Sequence, residues 1–255
     1  MTLYSAAALA IPDPRLLSKC LYRYNTRPNS PAWQRRFPDS DAIDRLFEEA
    51  RAATRSPWTS FITAEGGVSW LAWERPDAPA PPPRAPTYKM YLSPEPTAVG
   101  VATRAVLGLG GSRCAPFALK AGNNLPTLLR SEKLVVYFLS RDQLFEAAER
   151  LRPLLAGLPA QGVPFTSELF GDGLVSWGID PGSEAEPPGP LRQLSWRRWI
   201  TARLGVALAS ALAAGRAETF AWQFALDRVR LDGVNPETWT APAWFDAAGA
   251  PDADH

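Results

Sequence analysis

The sequence predicts an α+β fold, with a small mixed or antiparallel sheet flanked by helices and a helix-rich N-terminal lobe. Three observations lead there. Helical-period segments occupy both ends of the chain, short apolar runs with strand character lie between them, and a proline-rich break separates two of those runs. With 255 residues, the chain is long enough to bury a sizeable core.

Residues 1–55 lean helical. In DSDAIDRLFEEARAA, Ile43, Leu46, Phe47 and Ala50 recur at helical spacing behind Asp and Ser residues able to cap. FITAEGG and VSWLAWER read as a hairpin, since the second run alternates and Gly66-Gly67 precedes it. PDAPAPPPRAP (76–86) reads as a polyproline-like connector. The expected organisation is an N-terminal helical and hairpin lobe over 1–75, the connector, an α+β domain over 87–234 and an irregular tail over 235–255.

Beyond the connector, TYKMYLS (87–93) predicts a strand and PEPTAVGVATRAVLGLG a helix opened by proline and closed by glycine. CAPFALKAG (114–122) predicts a second strand. SEKLVVYFLS (131–140) predicts a third, central because its middle is apolar on both faces. RDQLFEAAERLRPLLAG (141–157) is an amphipathic helix with Leu144, Phe145, Ala148 and Leu151 on one face. GVPFTSELFGDGLVSWGIDP supplies one or two short strands, for four to six in the sheet. SWRRWITARLGVALASALAAG and ETFAWQFALDRVRLDG are two helices.

Composition excludes several chemistries. The formal net charge is +1, which argues against broad electrostatic capture of nucleic acid. The one histidine is the terminal His255, so Ser-His-Asp and Cys-His arrangements have no imidazole. Two cysteines, Cys20 and Cys114, lie far apart, so no four-ligand Cys/His zinc site can form. Two lone cysteines fit a reducing compartment. The N-terminal apolar run lacks a basic flank, and no stretch approaches the roughly 20 apolar residues of a membrane span. The expectation is a cytoplasmic protein without metal, cofactor or membrane partner. No phosphate-loop motif is present, and the glycines of LGLGGS follow no strand.

What remains is a set of cations among aromatic residues. Lys89 lies between Tyr88 and Tyr91, and Lys120 ends the second strand. Arg130 and Lys133 precede Tyr137 in the third, and Arg197, Arg198 and Arg203 open a helix. Lys89 and Lys120 fall in strands that become neighbours if the helix between them crosses over the sheet. Paired cations on a sheet face can hold a phosphate. A lysine partly desolvated beside another positive charge can lose its proton and serve as a base.

YKMYLSPEP, PFALKAGNNLPTLLRSEKLVVYF, GVPFTSELFGDGLVSWGIDP and SWRRWITARLGVALASAL, in that order, resemble the HopA family of bacterial type III effectors. They resemble equally the HopA-like lyase subunits of class V lanthipeptide and thioamitide biosynthesis. The lyase part of class III lanthipeptide synthetases, itself similar to phosphothreonine lyase effectors, has the same order of elements. The resemblance spans roughly residues 87–215. It implies β-elimination of phosphate from phosphoserine or phosphothreonine in a ribosomal precursor peptide, giving dehydroalanine or dehydrobutyrine. A separate aminoglycoside-phosphotransferase-like kinase would add the phosphate, and a decarboxylase or cyclase could act with them.

Carried onto this chain, Lys120 matches the base and Lys89 the first-strand cation that binds phosphate or polarises the adjacent carbonyl. Arg130 matches the phosphate clamp, with Lys133, Arg198 and Arg203 as further phosphate candidates. The effector lyases carry a histidine acid two residues after the first-strand lysine, where this chain has Tyr91. A phenol, with a reference pKa near 10, is the poorer acid. Either Tyr91 is the catalytic acid, or no acid is needed, or the chain is a non-catalytic HopA-like binding protein, as a type III effector or a scaffold for a peptide or kinase.

Overall fold

The computed structural model describes residues 2–53, 57–65, 68–81, 86–180, 195–215, 217–243 and 245. Residues 82–85 of the proline-rich run, the Gly66-Gly67 turn and the last ten residues, His255 included, lie outside the described residues.

The N-terminal segment forms α1 (Thr2–Ala8), α2 (Pro14–Arg23) and α3 (Pro31–Arg36), then α4 (Ser40–Asp44) and α5 (Glu48–Ala53) joined by a 3₁₀ turn over 45–47. α2 starts at Pro14 because the Asp13 carboxylate caps it, accepting from the Arg15 and Leu16 amides. The expected spacing holds across the interrupted helix: Ile43, Phe47 and Ala50 are buried.

Seven strands follow in one sheet: β1 (Thr59–Glu65), β2 (Val68–Glu74), β3 (Thr87–Leu92), β4 (Ala118–Gly122), β5 (Leu134–Phe138), β6 (Ser167–Glu168) and β7 (Val175–Asp180). Their order is β1-β2-β4-β5-β3-β7-β6, with every pairing antiparallel. The α+β class holds, and the sheet exceeds the expected four to six strands. β5, apolar through its middle, is the central strand. The hairpin β1–β2 joins β4 directly, so strands from both sides of 76–86 share one sheet. Lys89 and Lys120 are not on neighbouring strands as expected. β4 pairs with β2 and β5, and β5 separates it from β3.

One sheet face builds the core. Leu71, Trp73, Leu119, Leu134, Val136, Met90 and Leu92 are buried there. Against them pack α6 (Val99–Leu107), through Ala102 and Val106, and α8 (Arg141–Leu155), through Leu144, Ala148 and Leu151. Phe145 meets the Trp177 ring edge-on at 5.3 Å. The short α7 (Leu125–Leu128), not anticipated from sequence, is fixed by a reciprocal capping box between Asn124 and Thr127.

α9 (Trp196–Ala213) and α10 (Glu218–Leu231) close the fold, with α9 packed between α2 and α10. Gly205 permits the close approach: a Cβ there would lie 2.6 Å from the Pro14 carbonyl oxygen. Among the described residues no helix is long and apolar enough to cross a membrane, and both cysteines are free.

Candidate active site

The other sheet face is polar, and the register lays its side chains in rows. Lys120 pairs with Val135, and Val135 with Tyr91. In the next row Tyr137 lies opposite Lys89, and Lys89 opposite Gly178. Because side chains alternate across a strand, all of these project to the same side. They floor a cleft of about 800 Å³. Its walls are Trp70 of β2, Thr63 and Ala64 of β1, Tyr22 of α2, Arg130 and Glu132 before β5, Asp180 at the end of β7, and Ser195 and Arg198 at the start of α9.

α9 reaches the cleft for two reasons. Its first amide, from Trp196, donates to Asp180 Oδ1 at 2.8 Å. The Trp196 ring also lies on Gly178, where a Cβ would come within 2.6 Å of Trp196 Cδ1. The Trp196 indole donates to the Phe165 carbonyl at 2.7 Å, which ties the VPFT segment beneath it.

Glu132 is the hub of the anchoring network. It is buried, and its carboxylate takes Arg197 Nη1 at 2.8 Å, the Arg130 guanidinium and the Tyr22 hydroxyl. Burial alone would raise its pKa. The Arg197 and Arg130 charges overcome that and hold it at about 2. Arg197, 1% exposed, also donates to the Pro164 and Tyr22 carbonyls at 3.1 and 2.9 Å. Arg130 donates to the Tyr22 hydroxyl at 3.0 Å and lies over Trp70 at 5.5 Å. Burial and the neighbouring Glu132 push the Tyr22 hydroxyl up to about 12.

The two strand lysines differ in their partners. Lys89 forms an ion pair with Asp180 and lies 5.2 Å from the centre of the Tyr137 ring. Lys120 has no carboxylate at ion-pair distance among the described residues. Its amine lies over Trp70 at 4.7 Å and Tyr137 at 5.9 Å. Burial, then the charge of Lys89, pushes its pKa below the ordinary lysine value. Arg198, exposed at the mouth, faces the Tyr22 ring at 5.9 Å and has no carboxylate partner among the described residues. Among the described residues, four cations line the cleft (Lys89, Lys120, Arg130 and Arg198) and Arg197 lies buried behind it, against the two carboxylates Asp180 and Glu132. The excess positive charge suits an anion.

The fold gathers Lys89, Tyr91, Lys120, Arg130 and Arg198 at this cleft. Lys133 is elsewhere, contrary to the expectation of phosphate binding. It is fully buried and donates to Gln161 Oε1 at 2.6 Å. Burial and Arg27 depress its pKa to about 7. Arg203 also lies elsewhere: it pairs with Asp232 at 3.5 Å and lies over Trp199 at 4.0 Å, because it sits about one and a half turns along α9 from Arg198 at the mouth. Tyr91 is 2% exposed, and burial pushes its hydroxyl well above the ordinary phenol value, so it is a weak acid.

Sequence reasoning missed Tyr22, Trp70, Glu132 and Asp180. Glu132, set between Arg130 and Lys133, carried one usable signal: an acidic residue flanked by cations at the start of a buried strand.

No protein-family model matches the sequence, and no curated protein matches it. Among solved structures, the chain is similar to the effector protein from Pseudomonas syringae pv. tomato strain DC3000, with a TM-score of 0.60 and 12% identity over 94% of this chain and 96% of that one. It is also similar to the effector protein from Pseudomonas syringae pv. syringae strain 61, with a TM-score of 0.57 and 12% identity over 95% and 96% of the two chains. The type III effector/phosphothreonine lyase OspF from Shigella flexneri aligns with a TM-score of 0.37 and 12% identity, over 54% of this chain and 89% of that one. What the chain shares with the two Pseudomonas effectors is the fold.

Proposed function

We propose that this protein is a phosphoserine/phosphothreonine lyase that eliminates phosphate from a phosphorylated precursor peptide. One observation carries the reading: Lys120, desolvated and with no carboxylate at ion-pair distance among the described residues, shares a cleft with the cations Lys89, Arg130 and Arg198. The neutral Lys120 amine takes the Cα proton, the C–H electron pair forms the Cα=Cβ bond, and the Cβ–O bond breaks. Lys89 balances charge developing on the adjacent carbonyl oxygen. Phosphate departs between Arg130 and Arg198, whose guanidinium groups suit its oxygens. Tyr91 holds its proton too tightly to assist, so neutralisation by cations replaces general acid catalysis. The products are dehydroalanine from phosphoserine and dehydrobutyrine from phosphothreonine.

In keeping with the sequence resemblance, the peptide is a lanthipeptide or thioamitide precursor. A separate aminoglycoside-phosphotransferase-like kinase loads it, and a decarboxylase or cyclase acts alongside. This work belongs in the cytoplasm.

The test is mass spectrometry of a phosphothreonine peptide incubated with the protein. Loss of phosphoric acid with wild type, abolished in Lys120→Ala, supports the reading. An unchanged peptide with wild type, or full activity in Lys120→Ala, overturns it. A second reading is favoured by the Lys89–Asp180 ion pair, which already satisfies one of the cations. It is a non-catalytic phosphopeptide-binding scaffold or secreted effector, which would bind the same peptide and leave its mass unchanged.

A further inference from the structure

The cleft opens beside an edge of the sheet. β1 is the end strand and, among the described residues, pairs only with β2. Its sequence, TSFITAE, contains neither lysine nor proline, its one charged residue is the last, Glu65, and its register with β2 runs unbroken over seven pairs, without a bulge. Long flat edges are normally blunted by one of those devices, because their unpaired N–H and C=O groups template another strand. β1 is exposed from Thr59 to Ala64 and carries two large apolar side chains, Phe61 (38% exposed) and Ile62 (62% exposed). Adjacent in sequence, the two project to opposite faces, so both sides of the edge offer apolar contact. Thr63 and Ala64 of the same strand line the cleft.

We propose that the outer edge of β1 binds the phosphopeptide's own flanking residues as an added strand. The proposal rests on the lyase reading of the cleft. Recognition is by main-chain hydrogen bonds, so the flank needs extended backbone and alternating small apolar residues rather than a fixed sequence.

The geometry sets the spacing. An added strand lies three strand spacings from β4, which bears Lys120, or about 14 Å. At about 3.4 Å per extended residue, about four residues must cross the cleft wall between the reacting residue and the paired segment. The reacting residue therefore sits over the sheet face, not in the added strand.

The probes are synthetic phosphothreonine peptides with mixed serine and valine flanks of zero, three, six and nine residues. Elimination efficiency should stay level from zero to three residues and rise about tenfold or more by nine, as several main-chain hydrogen bonds form. N-methylation of alternate amides in the outer flank should remove the gain. Phe61→Pro and Ile62→Pro complete the test. N–H groups alternate in direction along the strand, so one of the two substitutions removes an outward donor and leaves the β1–β2 ladder intact. The variant that keeps its wild-type melting temperature should lose the gain from long flanks while eliminating the unflanked peptide normally.

Efficiency independent of flank length, or a gain that survives N-methylation, overturns the proposal while leaving the lyase reading standing. A concentration-dependent dimer that the proline variant dissociates also overturns it, since a second copy then owns the edge. If no peptide loses phosphate, the lyase reading fails. Equal affinity of the protein for the unflanked and nine-residue-flank peptides, by fluorescence anisotropy, then refutes the pairing as well.

Discussion

Replacing Glu132 by glutamine keeps its shape and removes the charge on which Arg130, Arg197 and Tyr22 converge. The carboxylate is held at about 2 against an ordinary 4.5, although burial works against it. At about 1.4 kcal/mol per pKa unit, that displacement contributes about 3 kcal/mol to folding. The range of 3–5 kcal/mol for removing one member of a buried ion pair agrees. With a urea m-value of about 3 kcal/mol/M for a chain of this size, the unfolding midpoint of Glu132→Gln should fall by about 1 M at pH 7.

The pH dependence carries the sharper signature. A carboxyl whose folded pKa lies below its unfolded one stabilises fully above the unfolded value and loses that contribution as pH falls through the folded one. The gap between wild type and variant should be complete at pH 7 and close between about pH 4.5 and about pH 2. Urea titrations of both proteins across that range measure it. A gap below about 1 kcal/mol at pH 7, or one unchanged at the acid end, would refute the claim that Glu132 is the charged hub.

Three further outcomes follow. Lys133 has a folded pKa of about 7, below its ordinary 10.5, so the unfolded chain binds more protons between those values. Stability should therefore rise with pH across that window in wild type, and rise less in Lys133→Met, when urea midpoints are compared. Gly178→Ala would drive a methyl into the Trp196 ring, with Cβ 2.6 Å from Cδ1. It should cost about 1–3 kcal/mol by thermal unfolding and weaken phosphopeptide binding by displacing the start of α9; an unchanged melting temperature contradicts the packing account. Because burial and Lys89 depress the Lys120 pKa, the elimination rate should climb with pH and level off below the ordinary lysine value of 10.5. A rate still climbing beyond it would exclude Lys120 as the base.

The strands were legible where apolar runs were short and bounded, and β5 was recognisable as central because both its faces are apolar. Strand order was not legible. Local pattern says nothing about β5 lying between β3 and β4, which moved Lys89 and Lys120 two strands apart. The cleft keeps them together because both point to one face, with Tyr137 between. Lys133 and Arg130 looked equivalent in sequence, three residues apart. The turn into β5 leaves Arg130 in the cleft and sends Lys133 into the interior against Gln161. Tyr22 and Trp70 come from the helical lobe and the hairpin, where only packing against the sheet gives them a role. Asp180 was hidden because its partners, Lys89 and the Trp196 amide, are distant in sequence.

The central claim is that this cleft removes a Cα proton and expels phosphate with lysines and arginines alone. The most direct measurement uses a phosphoserine peptide deuterated at Cα. The product should be lighter by phosphoric acid, should have lost the deuterium to solvent, and should add a thiol at the new double bond. A product that keeps the deuterium and carries a free hydroxyl, or a peptide returned unchanged, would contradict it.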